Sequence, residues 1–62
     1  MKPIDTGTGE VLCRIEDRVG VVTLNRPEVN NAYNGDLIQG LHEAFDALGA
    51  VPGLRVLVLR GN

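Results

Sequence analysis

The segment that most constrains the fold of this chain is the apolar run Val56-Leu57-Val58-Leu59, which lies between Arg55 and Arg60. An uninterrupted apolar run bounded by charges is typical of a strand covered on both faces, as in parallel sheets flanked by helices. Such a strand needs neighbours on both edges, and a chain of 62 residues has room for few of them. We therefore expect that the chain is the N-terminal part of a larger domain, or that it gains its remaining neighbours by association.

Two further strands are predicted upstream. Residues 11–16 alternate in the period-two pattern of a half-buried strand, and residues 19–24 form a second run rich in β-branched side chains. The short connection Asp17-Arg18 makes an antiparallel hairpin the economical arrangement of the two. Residues 1–9 are polar and include the run Thr-Gly-Thr-Gly, so they are expected to form a flexible leader.

A helix is predicted between the second and third strands. Its apolar residues recur at steps of three and four, as in one helix face, at Leu37, Leu41, Ala44, Phe45 and Leu48. Asn34 is a suitable N-cap, and Gly40 within the stripe indicates either close packing or tolerance. A helix between neighbouring strands implies a right-handed parallel crossover. The predicted fold class is therefore α/β, in the order strand, strand, helix, strand.

Composition and charge exclude several classes of protein. Hydrophobic residues make up 44 % and charged residues 23 %, which is typical of a globular chain. The net charge is −2 with scattered bases and two aromatic residues, which argues against a nucleic-acid partner. One cysteine and one histidine exclude a disulfide scaffold and a zinc module. The longest apolar run has four residues, so no membrane association is expected, and the lone thiol favours a cytoplasmic location.

Individual titratable and aromatic residues are assigned structural roles. Glu43 and Asp46 are expected on the solvated face of the helix, and His42 is also placed at the surface. Cys13 shares a strand face with apolar neighbours, so it is predicted to be a small buried hydrophobe. Tyr33 is predicted to pack where the loop meets the helix.

The stretch VVTLNRPEVNNAYN at residues 21–34 resembles the opening of the crotonase, or enoyl-CoA hydratase/isomerase, superfamily. The family pattern is an apolar strand, then Leu-Asn-Arg-Pro, then a short loop that ends in Asn-Ala. The resemblance continues without gaps through the helix to residue 61 and covers residues 11–62. It implies that residues 10–62 are the N-terminal ββαβ part of a crotonase-like domain, which is the first turn of a spiral of such units and is incomplete as a domain.

The resemblance also implies a function. Family members act on acyl-CoA thioesters, so the CoA thioester would be the substrate, with no separate cofactor and no metal. Carried over by position, Val29, Asn30 and Ala32 would lie beside the adenine or pantetheine part of CoA. Glu28 and Asn30 stand where many relatives carry a base, so the grip on the CoA phosphates would come from elsewhere.

The expected reaction of the parent enzyme is hydration of a 2-enoyl-CoA through an enolate held by two backbone N–H donors. Isomerases and thioester hydrolases of the same superfamily remain alternatives. The family's catalytic groups come from segments after the third strand, so no catalytic residue is assigned and the 62-residue chain alone is expected to be inactive. Family members assemble as trimers or hexamers, so a homo-oligomer is expected. A different class of function stays open, namely a small non-enzymatic α/β interaction module that completes its sheet by self-association.

Overall fold

Residues 2–62, which are the residues that the computed structural model describes, form one four-stranded sheet with one α-helix packed against it. The elements in chain order are β1 (Lys2–Ile4), β2 (Val11–Glu16), β3 (Val19–Leu24), a 3-10 turn (Pro27–Val29), α1 (Gly35–Gly49) and β4 (Val56–Gly61). The strands lie side by side in the order β1-β2-β3-β4. The predicted α/β class is confirmed at this level.

Both predicted strand pairings are present. β2 and β3 are antiparallel, and Glu16 opposes Val19, so two residues connect them. The first of these, Asp17, has a φ of 54°, a left-handed conformation that Asp tolerates better than most residues. β3 and β4 run parallel, with Val19 opposite Val56. Since a parallel neighbour cannot be reached by a tight turn, α1 lies in the connection between them.

The core lies between α1 and the β2–β3 hairpin. Its buried residues are Val11, Cys13, Val22, Leu37, Ala44 and Leu48. α1 begins as predicted, because the Asn34 side-chain oxygen accepts a hydrogen bond from the Leu37 N–H at 2.8 Å. This bond satisfies one of the N–H groups that the first helical turn leaves without an intrahelical partner.

The N-terminal segment is more ordered than the prediction of a flexible leader over residues 1–9 allows. Lys2–Ile4 pairs antiparallel with β2, and Ile4 lies opposite Cys13. Thr6 is buried, and its hydroxyl donates to the Val11 carbonyl at 2.7 Å. The polar composition misled the prediction because one threonine hydroxyl and three strand residues are enough to anchor the segment. Residue 1 lies outside the described residues.

Two aromatic side chains do not occupy their predicted places. The apolar spacing predicts Phe45 on the face of the helix that packs against the sheet, but Phe45 is 42 % exposed. Successive helical residues are rotated by about 100°, so Phe45 lies beside Ala44 at the margin of the stripe, while Ala44 occupies its centre. Tyr33 was expected to pack at the loop–helix junction, yet it is 72 % exposed.

The strand β4 is not covered on both faces by the other residues of 2–62, as expected for a strand whose remaining neighbours lie outside this chain. All six of its residues are exposed, and Leu59 retains 55 % of its accessible surface. β4 is the last strand of the sheet, and α1 packs mainly over β2 and β3. The neighbours of β4 within residues 2–62 therefore leave much of its apolar surface exposed.

Close packing requires a glycine at position 40. Of the two predictions for Gly40, close packing or tolerance, the first is therefore confirmed. A Cβ at this position would lie 2.7 Å from Thr8 Cγ2 and 2.9 Å from Val11 Cγ2. The substitution Gly40→Ala should therefore destabilise the fold by about 1–3 kcal/mol through overpacking. Intrinsic helix propensity alone would instead stabilise it by about 1 kcal/mol.

Urea unfolding followed by circular dichroism measures the sign of this change. Gly49→Ala is the matched control, because a Cβ there meets nothing within 4 Å among residues 2–62. We expect Gly49→Ala to leave stability unchanged or to raise it slightly. A gain in stability for Gly40→Ala as large as that of the control would contradict the packing at Gly40.

Candidate functional site

The candidate site lies at the edge of the sheet where β3 and β4 end. In open α/β sheets, ligands bind outside the carboxyl ends of parallel strands. Because β3 and β4 are parallel, their carboxyl ends meet at one edge, and Leu24 opposes Gly61 there. The loop of residues 25–34 leaves β3 at this edge and contains the three residues expected to contact CoA.

The backbone of this loop is folded tightly on itself. After the 3-10 turn, Asn30 and Asn31 both take left-handed conformations, with φ of 56° and 58°. Asparagine tolerates this region better than most residues, because its short polar side chain can form local hydrogen bonds. Two consecutive left-handed residues reverse the chain direction and return it toward Asn34, where α1 begins.

The backbone N–H groups of residues 29–32 already donate hydrogen bonds within the loop. The N–H groups of Val29 and Asn31 donate to the Arg26 carbonyl, at 3.2 and 2.7 Å. The Asn30 N–H donates to the Pro27 carbonyl at 3.3 Å, and the Ala32 N–H donates to the Val29 carbonyl at 3.1 Å. The N–H groups of residues 29–32 are therefore not available to cradle a phosphate, in contrast to those of glycine-rich phosphate loops.

Arg26 fastens the loop to the β2–β3 hairpin. Its Nε atom lies 2.5 Å from Glu10 Oε2, and both atoms are shielded from solvent. Its Nη1 atom donates to the Ala32 carbonyl at 2.5 Å. The contact with Glu10 is an ion pair without a hydrogen bond, whereas the bond to Ala32 is charge-assisted, which is the stronger kind of hydrogen bond. One side chain thus holds the far end of the loop against the segment that precedes β2.

Three asparagines complete the frame of the site. Asn25 donates through Nδ2 to the Gly9 carbonyl at 2.8 Å, and its Oδ1 accepts from Asn62 Nδ2 at 2.9 Å. Asn31 accepts from the Arg26 N–H at 2.7 Å and donates to the Asn62 backbone oxygen at 2.9 Å. The side chains of Asn25 and Asn31 therefore bind the residue that follows β4 to the residues that follow β3.

The predicted contact residues Val29, Asn30 and Ala32 all lie within four positions on this loop and are exposed. Val29 retains 41 % of its accessible surface, although it is apolar. These three residues thus offer a ligand two apolar side chains and one carboxamide. A separate, largely apolar groove of about 390 Å³ runs beside β1 and β2, where it is lined by residues that include Ile4 and Leu12.

Sequence analysis did not identify Arg26 and Asn31 as framework residues of the site. In the sequence both residues stand out only as members of the stretch that resembles the crotonase family. The sequence does contain a signal for the asparagine contacts. Asn25 and Asn62 follow the two strands of the predicted parallel pair, so they must meet at one edge of the sheet. The sequence contains no comparable signal for the ion pair of Arg26 with Glu10, because these two residues meet only through the register of the β2–β3 hairpin.

Cys13 and three titratable residues of α1 have the predicted burial or exposure. Cys13 is buried, and its burial raises the pKa of the thiol, so the protonated and unreactive form is favoured. His42, Glu43 and Asp46 lie exposed on α1. Within residues 2–62, no three His, Cys, Asp or Glu side chains come together as metal ligands, and no helix is long and apolar enough to cross a membrane.

The frame of the loop can be tested at Arg26. Arg26→Gln removes both the ion pair with Glu10 and the bond to Ala32, and it should cost about 1.5–3 kcal/mol of stability. It should also increase amide hydrogen exchange in residues 29–32. Hydrogen exchange read by mass spectrometry or NMR measures the loop, and urea unfolding measures stability.

The matched control for this test is Arg14→Gln. Arg14 pairs with Glu16 within one strand at 2.8 Å, and both side chains are largely solvated. Exposed pairs of this kind contribute roughly 0–1 kcal/mol, so this substitution should leave the loop unchanged. Equal effects of the two substitutions on exchange in residues 29–32 would rule out the role given to Arg26.

Comparisons with known proteins give one informative relative. The chain is 38 % identical over 52 residues to a probable enoyl-CoA hydratase of Rhizobium meliloti (strain 1021). The match covers 84 % of this chain but only 20 % of that protein, so the chain spans about a fifth of the length of its relative. No family model matches the sequence, and no solved structure matches the fold. The similarity supports a relation to the enoyl-CoA hydratase family.

Proposed function

We propose that this chain is part of a crotonase-type protein that acts on acyl-CoA thioesters, and that residues 29–32 contribute to CoA binding. The observation that carries the proposal is the 38 % identity to a probable enoyl-CoA hydratase, which extends over most of this chain. The ββαβ arrangement would be the first turn of the crotonase spiral. The remaining turns, and the trimeric or hexameric assembly of the family, are part of the same proposal.

The chemistry of the loop favours one portion of the CoA molecule. The N–H groups of residues 29–32 donate within the loop, and Glu28 places an acid beside it, so the loop is poorly suited to the phosphates. The side chains of Val29 and Ala32 suit an aromatic or aliphatic surface, and Asn30 can exchange hydrogen bonds with an amide or a base. We therefore assign the adenine or pantetheine part of CoA to this loop.

The reaction proposed for the parent protein is hydration of a 2-enoyl-CoA. In such a reaction two backbone N–H donors stabilise the enolate oxygen, and carboxylates position water and transfer protons. We place these groups outside the present 62 residues and expect this chain alone to be inactive on crotonyl-CoA. Turnover that copurifies with the pure polypeptide would contradict this assignment.

CoA binding by the loop is tested by isothermal titration calorimetry, in which CoA is titrated into the wild-type chain and into two variants that carry the same net charge as each other. Val29→Glu places a carboxylate at the loop surface and should weaken binding about tenfold, by removing apolar contact and repelling the polyphosphate. Ile38→Glu is the control, because Ile38 is a similarly exposed apolar residue on α1. An equal loss for both variants, or an unchanged affinity for Val29→Glu, would refute the assignment of the loop.

A second candidate function is supported by the exposure of β4. Four consecutive apolar residues of this strand retain between 39 % and 55 % of their accessible surface, and the strand lies at the end of the sheet. A free edge of this kind pairs readily with another strand. This exposure favours the alternative of a small interaction module that completes its sheet by self-association.

Self-association through β4 predicts a specific response to charge. Val58→Lys should weaken association at least about tenfold, because a lysine on an edge strand opposes edge-to-edge pairing. Leu12→Lys is the control, since Leu12 is exposed on the same sheet face but belongs to β2. Sedimentation at several concentrations measures the effect, and a monomeric wild-type chain would eliminate this alternative.

A further inference from the structure

We infer that Asn31 is a positioning residue, which sets the place of the 29–32 segment relative to the end of β4. The assignment of CoA as the ligand rests on the proposed function, whereas the positioning itself rests on the hydrogen bonds of Asn31. Its side chain bridges two chain segments that are distant in sequence, accepting from Arg26 and donating to Asn62. Both of those segments follow parallel strands at one sheet edge.

The geometry leaves the Asn31 side chain a single orientation. Its carbonyl oxygen accepts the Arg26 N–H at 2.7 Å, so its amide nitrogen must face the other way, toward the Asn62 backbone oxygen at 2.9 Å. Its own N–H donates to the Arg26 carbonyl at 2.7 Å. Aspartate could accept the first bond but could not donate the second, and alanine could form neither side-chain bond.

Gly61 completes this arrangement. A Cβ at residue 61 would lie 2.8 Å from Asn31 Nδ2, closer than real Cβ contacts allow. The final residue of β4 must therefore lack a side chain for the Asn31 amide to reach the Asn62 backbone. Asn31 and Gly61 act as one unit, although 30 positions separate them in the sequence.

This unit is separate from the core. The buried cluster is formed by residues of β2, β3 and α1, and the hydrogen bond from Asn31 to Asn62 is exposed. Loss of the bridge should thus shift the loop while α1 and the hairpin keep their packing. A positioning role predicts a larger effect on the loop and on ligand affinity than on unfolding, and a purely structural role predicts equal effects.

The test substitutes glycines, so that no charge is introduced near the ligand. Gly61→Ala should displace the Asn31 amide, accelerate exchange of the Arg26 N–H about tenfold and weaken CoA binding several-fold. Gly49→Ala is the control, since a Cβ there meets nothing within 4 Å among the described residues. In an Asn31→Ala background, Gly61→Ala should have little further effect, because the atom that it would displace is absent.

The outcomes separate this inference from the proposed function. One outcome is that the Arg26 N–H exchanges faster in Gly61→Ala but not in the Gly49→Ala control, while the wild-type chain does not bind CoA. This outcome would support the role of Asn31 and refute CoA as the ligand. Unchanged exchange in Gly61→Ala would overturn the role of Asn31, whether or not CoA binds. Additive effects in the double variant, or a loss of affinity that merely follows the unfolded fraction, would also overturn it.

Discussion

The parallel pairing of β3 with β4 is the interaction on which the rest of this structure depends. It requires a crossover, and the crossover supplies α1, whose apolar stripe covers the β2–β3 hairpin and forms the core. It also brings the carboxyl ends of two strands to one sheet edge, where Asn31 and Asn62 meet. The same pairing leaves the outer edge of β4 without a neighbour within residues 2–62. The two proposed functions use different parts of this one feature, one the strand ends and the other the free edge.

The loop after β3 gains its definition from side chains rather than from a core. Its residues 29–32 are mostly exposed, yet hydrogen bonds of Arg26 and Asn31 close the loop on itself, and Asn31 also binds the distant Asn62. The internal use of its N–H groups makes it a surface for apolar or amide contacts and not for phosphates. This preference agrees with the part of CoA that we propose for the loop.

Much of the fold could be predicted because local patterns carried it. The period-two alternation of β2 and the Asn34 cap depend on nearby residues, and the parallel crossover follows from the order of the elements. The errors arose where distant groups decide the outcome. Thr6 anchors a polar segment through one hydroxyl, and β1 pairs with β2 although its residues are separated from their partners by several positions. The frame of the site was missed for the same reason, since the hydrogen bond from Asn31 to Asn62 can be inferred only when the register of the parallel strands is known.

The central claim is that the loop beside the parallel strand ends binds CoA, and a titration of the ¹⁵N-labelled chain with CoA, followed by NMR, tests it most directly. The account predicts concentration-dependent shifts of the backbone amides of residues 29–32, with smaller shifts at Gly61 and Asn62. The amides of Glu43 and Asp46, on the exposed face of α1, should stay in place. An absence of shifts at millimolar CoA, or shifts confined to α1, would contradict the account.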